Sequence, residues 1–205
     1  MEAIEVLTIG HSTLPYERFL ALLRKANVTA IADVRSSPRS RRFPHFSQDQ
    51  LREELRLDGV SYVFLGRELG GRPEARALYC DGVADYEKMA NTPEFAAGLE
   101  RVVNGAKTYR IALLCSERDP LDCHRCLLVG RALAERGVRV GHILDDATIV
   151  PHAQIERRLL ELAGRNAHDM FASREDQLAQ AYRERARKVA FAEPKPDPRN
   201  PMAAE

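Results

Sequence analysis

Short apolar runs rich in β-branched residues alternate along this chain with segments whose apolar residues recur at helical spacing. No other feature limits the fold as tightly. The runs lie at residues 4–9, 29–34, 60–65, 109–114 and 138–144. Between them, Phe19, Leu20, Leu22, Leu23 and Ala26 follow Pro15 at helical spacing. Residues 47–57 open on Ser47 and Gln50 in the manner of a capping box, and Pro93 starts a helix to about residue 104. Further helices are expected at 120–136, stopped by Gly137, and at 155–163. This alternation selects an α/β domain: a Rossmann-like three-layer arrangement with a mostly parallel sheet of about five strands and helices on both faces. Residues 66–92 break the rhythm. A loop of that length in a compact domain is functional or carries small elements of its own.

The α/β pattern occupies residues 1–164, and residues 165–205 form a separate C-terminal segment. Its helix, residues 174–189, carries a weak apolar stripe (Leu178, Ala181, Tyr182, Val189) suited to packing or to homodimer formation. The proline-rich stretch 193–201 is expected to be a mobile tail. Acidic and basic residues nearly cancel, leaving a net charge of +1, so no global field recruits nucleic acid. No apolar run approaches membrane-spanning length and no signal-peptide profile opens the chain, so a cytoplasmic protein without membrane contact is expected. Three of the four cysteines (Cys115, Cys123, Cys126) cluster in a layout poor for a disulfide framework, and they read as reduced thiols.

In a parallel sheet the C-terminal strand ends share one edge, where such folds bind ligands. Polar chemistry gathers there: His11 and Ser12, Asp33 and Arg35, Cys115 and Glu117, with His142 inside the last run. Downstream of Cys115, Asp119 and Pro120 suit a helix start and place Cys123 and His124 in its first turns. The positive helix end lowers a thiol pKa there, and Arg118 and Arg125 are expected to reinforce it. The candidate catalytic residues are therefore Cys115, Glu117, Cys123, His124 and His11, and the candidate binding residues are Ser12, Asp33, Arg35, Ser40 and Arg125. Cys126 reads as a core residue. The loop 35–46 offers arginine forks and serine hydroxyls for phosphate. Its Phe43 and Phe46 serve either base stacking or docking onto the core.

Several familiar chemistries do not fit. Cys115, Cys123 and His124 with a distant His11 or Asp33 include ligand types for zinc or iron. The spacing matches no zinc finger, and adjacent helical residues point about 100° apart. No cofactor is predicted, and zinc or iron stays open. A phosphatase or sulfurtransferase loop would close on an arginine where this chain has Leu121. Residues 66–72 lack the ending of a P-loop.

Ile9-Gly10-His11-Ser12, Asp33-Val34-Arg35 with Pro38 and Ser40, Leu65-Gly66 with Leu69-Gly70-Gly71, and Cys115-Ser116-Glu117 with Cys123-His124-Arg125 resemble, in this order, the family catalogued as domain of unknown function 488. The resemblance covers roughly the first 160 residues and implies an intracellular α/β domain, without an activity. The residues themselves favour an enzyme, a hydrolase or transferase for a phosphate-bearing ligand such as a nucleotide or nucleic acid. Thiol, acid and imidazole groups add nothing to simple phosphate affinity. The alternative is a binding module without turnover for nucleic acid or a phosphorylated partner, and either class admits a metal-dependent version.

Overall fold

Each of the expected runs forms a strand in the computed structural model, which describes residues 5–165 and 172–193. The order is β1 (Glu5–Gly10), α1 (Tyr16–Lys25), β2 (Ala30–Asp33), α2 (Gln48–Leu57), β3 (Ser61–Phe64) and a one-turn α3 (Gly66–Leu69). The long excursion carries a small hairpin, β4 (Tyr79–Cys80) and β5 (Val83–Ala84), then α4 (Tyr86–Ala90). There follow α5 (Pro93–Gly105), β6 (Ile111–Cys115), α6 (Arg131–Glu135), β7 (Arg139–Ile143), β8 (Ile149–Pro151), α7 (His152–Leu162) and α8 (Arg174–Val189). The sheet order is β3-β2-β6-β1-β7-β8, parallel except for β8, which pairs antiparallel with β7. This sixth strand escaped the sequence reading because three residues are too few to show a period. The proline-rich tail beyond Glu193 lies outside the described residues.

Side-chain alternation in the strands sorts the core into two layers. Leu7, Ile9, Ile31, Ala112 and Leu114 pack with Phe19, Leu22, Leu23, Leu51 and Leu55 of α1 and α2. Val6, Ala32, Leu113 and Val140 face the opposite layer with Phe95, Leu99, Leu133, Leu159 and Tyr182, from α5 to α8. Full burial of each such Leu, Ile or Phe contributes about 1.5–3 kcal/mol relative to exposure. Among the described residues, no helix is long and apolar enough to cross a membrane.

The connections explain where a site must form. From β1 through β3 the chain crosses over the α1–α2 face; from β3 it returns over the other face and inserts β6 between β2 and β1. The usual doubly wound order keeps those two strands adjacent. The loop leaving β6 therefore departs on the opposite face from the loops leaving both of its neighbours. Such a switch opens a crevice at the strand ends, and Cys115 is the last residue of β6.

Two local expectations need correction. Ser47 begins α2 without a side-chain cap, its hydroxyl instead contacting Ser40, and Gln50 bonds Glu54. The helix expected over 120–136 is broken near its start. Pro120–Asp122 is one 3₁₀ turn, capped by Asp119 through Leu121 N, and Cys123 is extended (φ −140°, ψ 138°). Helical backbone begins at His124, widens to a π-helical stretch at Arg125–Gly130 and continues into α6.

Candidate functional site

Cys123 closes the 3₁₀ turn and caps the helix that follows. Its carbonyl accepts from Cys126 N and Leu127 N, and its Sγ accepts from Arg125 N at 3.4 Å. Because Cys123 is extended, its thiol and the His124 ring converge, so the 100° divergence expected of two helical neighbours does not apply. Glu117 Oε2 lies 2.9 Å from Cys115 Sγ and 3.0 Å from Cys123 Sγ. His124 Nδ1 lies 3.6 Å and 4.0 Å from the same two sulfurs. His124 Nε2 sits 2.8 Å from Val34 O. That carbonyl can only accept, so Nε2 carries a proton and Nδ1 is the ring nitrogen turned to the thiols, a lone pair whenever the imidazole is neutral. Gly71 makes room for the ring: a Cβ there would stand 2.8 Å from His124 Cγ.

The electrostatics of the four groups are tightly linked. Burial and the neighbouring Cys123 and Glu117 push the Cys115 thiol up. Burial also opposes ionisation of Cys123, but a hydrogen bond from Cys115, the Arg125 charge and His124 together pull it well down. Glu117 is exposed as a residue, but its carboxylate lies against the two buried thiols, and that desolvation together with Cys123 raises its pKa. Burial opposes protonation of His124, but Cys123, through a hydrogen bond and its charge, raises the pKa. Arg125, fully buried, donates to Glu117 O at 2.6 Å and Arg118 O at 2.9 Å, pinning the loop that carries Glu117. Gly10 is needed beneath it, since a Cβ would collide with Glu117 O at 1.8 Å. Arg118 does not join the cluster as expected: it is exposed and pairs with Asp145.

The remaining predicted residues form a second group on the α1–α2 side. Arg35 binds Asp33 through Nε at 2.9 Å and Nη2 at 2.6 Å. Its Nη1 reaches Phe46 O at 2.8 Å and His11 Nε2 at 3.3 Å. Tyr62 donates to the same Asp33 carboxylate. His11 stacks on Phe46 with ring centroids 4.1 Å apart. Its pKa is lowered to about 4 by burial and by Arg35, so it is neutral at physiological pH, with Nδ1 donating to Ser12 O. Ser12 sits at positive φ, tied by its N–H to Ser116 O. Ser40 folds the arginine-rich loop by accepting from Phe43 N. Phe46 is wholly buried and Phe43 packs on the core, so docking, not base stacking, is their role here. Cys126 is buried in the core, as expected.

A cleft of about 300 Å³ opens onto the first group, lined by Cys115, Glu117 and His124 together with Arg35, Ser36, Ser37, Arg39, Arg72 and Tyr86. Val189 and Phe191, at the end of α8, complete a wall, and the Arg72 guanidinium lies 4.8 Å above the Phe191 ring. Arg185 of α8 bonds Leu121 O and Asp122, clamping the loop that follows β6. Ser36, Ser37 and Arg39 belong to the loop 35–46 that the sequence offered for phosphate, whereas Tyr86 and the residues at the end of α8 were missed. Arg72 carried a signal, standing beside Gly70-Gly71 where backbone must pass close to a ring.

A family model described as Domain of unknown function DUF488 matches residues 15–132, more than half of the chain. The match begins after His11 and Ser12 and is shorter than the first 160 residues expected to carry the resemblance. No curated protein and no solved structure matches the chain.

Proposed function

The chain belongs to the DUF488 family, a membership that carries no activity, and from the geometry of its cleft we propose a hydrolase or transferase acting on a phosphate-bearing small molecule. One observation carries this reading: the cleft that ends on Cys115, Glu117 and His124 is walled by Arg39, Arg72 and the hydroxyl-bearing Ser36 and Ser37. Arg39 is exposed and has no side-chain partner among the described residues, so its fork is available to an anion. Arg35, assigned that task on sequence grounds, is instead committed to Asp33, Phe46 and His11 and serves as a strut. The volume stands at the small end of small-molecule pockets. It suits a nucleotide better than a duplex.

Calorimetric titration of the full chain with inorganic phosphate and with AMP at low salt tests the binding half. Arg39→Ala and Arg72→Ala are each expected to weaken binding by about tenfold or more, the worth of a charge-assisted hydrogen bond. Phosphate release from a panel of nucleotides reads the turnover half. Failure of both probes to bind at millimolar concentration overturns the proposal.

A further inference from the structure

We propose that Cys115, Glu117, Cys123 and His124 bind one thiophilic divalent metal ion, zinc by the chemistry of the set. This deepens the reading of the cluster as the reactive end of the cleft and rests on that reading only for the ion's role. The four ligand atoms all lie within 4.8 Å of one another. A tetrahedral ion with sulfur at about 2.3 Å and nitrogen or oxygen at about 2.0–2.2 Å sets its ligands roughly 3.5–3.8 Å apart. Of the sulfur–imidazole distances, 3.6 Å falls within that span and 4.0 Å stands just above it. The sulfur–carboxylate distances of 2.9 and 3.0 Å are about half an ångström shorter, and Glu117 is the exposed member with room to withdraw.

The surroundings fit as well as the ligands. Val34 O holds the Nε2–H of His124, the backbone partner that fixes a metal-binding imidazole with Nδ1 inward. Arg125 N–H bonds the Cys123 sulfur, as expected for a ligating thiolate. Charge also closes: two thiolates and one carboxylate against a divalent ion and the buried Arg125 guanidinium sum to zero. Two sulfurs and an imidazole select zinc over magnesium or calcium. The carboxylate is the hardest ligand and borders the cleft, so its release opens a coordination position to a water or phosphoryl oxygen while Cys115, Cys123 and His124 keep the ion.

The test uses the full chain, reduced, stripped of metal and reconstituted. Elemental analysis is expected to find one equivalent of zinc. Cobalt is expected to give thiolate-to-metal charge transfer in the near ultraviolet and the visible bands of a tetrahedral ion. Cys123→Ser should weaken zinc binding by about a hundredfold or more, and Cys126→Ala should retain the full equivalent. A wild-type chain that takes up no zinc, or a cobalt adduct without thiolate bands, overturns the site. So does metal lost in Cys126→Ala and kept in Cys123→Ser. If Cys123→Ser does not fold, the wild-type cobalt spectrum still decides. Phosphate binding without metal uptake would refute this site and leave the proposed function standing; metal uptake without phosphate binding would do the reverse.

Discussion

On one face of the sheet, two clusters bring cysteine and histidine together, and they end in opposite conditions. At the strand ends, Cys115, Cys123, Glu117 and His124 border a cleft, with Nδ1 of His124 turned to the thiols. Deeper in the same layer, Cys126, His142 and His152 also place their ligand atoms within 4.8 Å of one another. There every ring nitrogen is spent. Tyr182 donates to Glu156, so its oxygen accepts from His152 Nε2–H at 2.9 Å. His152 Nδ1 then accepts from His142 Nε2–H at 2.9 Å, and His142 Nδ1 accepts from Thr8 Oγ1–H at 2.8 Å. The protons run one way from β1 to α7, both imidazoles are neutral, and no lone pair is left for a metal. The same residue types leave a ligand atom facing a cleft or build a structural fastener according to whether hydrogen bonding leaves a donor atom free.

The largest effect expected from breaking the fastener is on stability. His142→Ala empties a fully buried site and leaves Thr8 Oγ1 and His152 Nδ1 without partners. Cavity and unpaired polar groups together are expected to cost about 3–5 kcal/mol. Urea unfolding monitored by circular dichroism should show this, with phosphate binding unchanged at temperatures where the variant stays folded. A cost below about 1 kcal/mol would mean the network is not a fastener.

Acid should act on the same fastener with a predictable sign. Burial lowers His152 to about 4, and His142 well below its ordinary value through burial, His152 and Arg125. A folded pKa below the unfolded value of about 6.5 means that the unfolded chain takes up the proton first. The contribution is therefore complete above pH 6.5, falls as pH drops from 6.5 through 4, and levels off below. For His152 alone the loss is on the order of 3 kcal/mol. Cys126, Tyr182 and Glu156 also face the pair. Urea midpoints between pH 7.5 and 4.5 measure the slope, which His152→Gln should reduce.

What was legible in the sequence follows the range of the interactions involved. Cys115, Glu117, Cys123 and His124 lie within ten residues across one strand end and one helix start, and their convergence could be read locally. The extended backbone at Cys123 could not, because Asp119-Pro120 promised a continuous helix and delivered a single 3₁₀ turn. The pairing of Arg35 with Asp33 also carried a local signal. Residues 33 and 35 are two apart on extended chain, the spacing that puts side chains on one face, and Asp33 was its obvious partner. The cleft wall built by Val189 and Phe191, and the link from His142 on β7 to Tyr182 on α8, join residues far apart in sequence. No period or motif records such contacts, so the site's floor and its arginine-rich loop were visible and the wall from α8 was not.

The smallest stability change is expected where the functional change is greatest. Glu117→Gln keeps the shape of the side chain and one oxygen that can accept from a thiol, at a residue exposed on the rim. Arg125 grips the backbone carbonyl of this residue, not its carboxylate, so the loop keeps its anchor. Unfolding free energy should therefore move by less than about 1 kcal/mol. Turnover of a nucleotide substrate should fall by about a hundredfold or more, since the amide can neither accept a proton from water nor act as an anionic ligand. Stability lost as heavily as in His142→Ala, with turnover retained, would erase the distinction between the two clusters. The cluster at the cleft would then be a second fastener that happens to reach the surface.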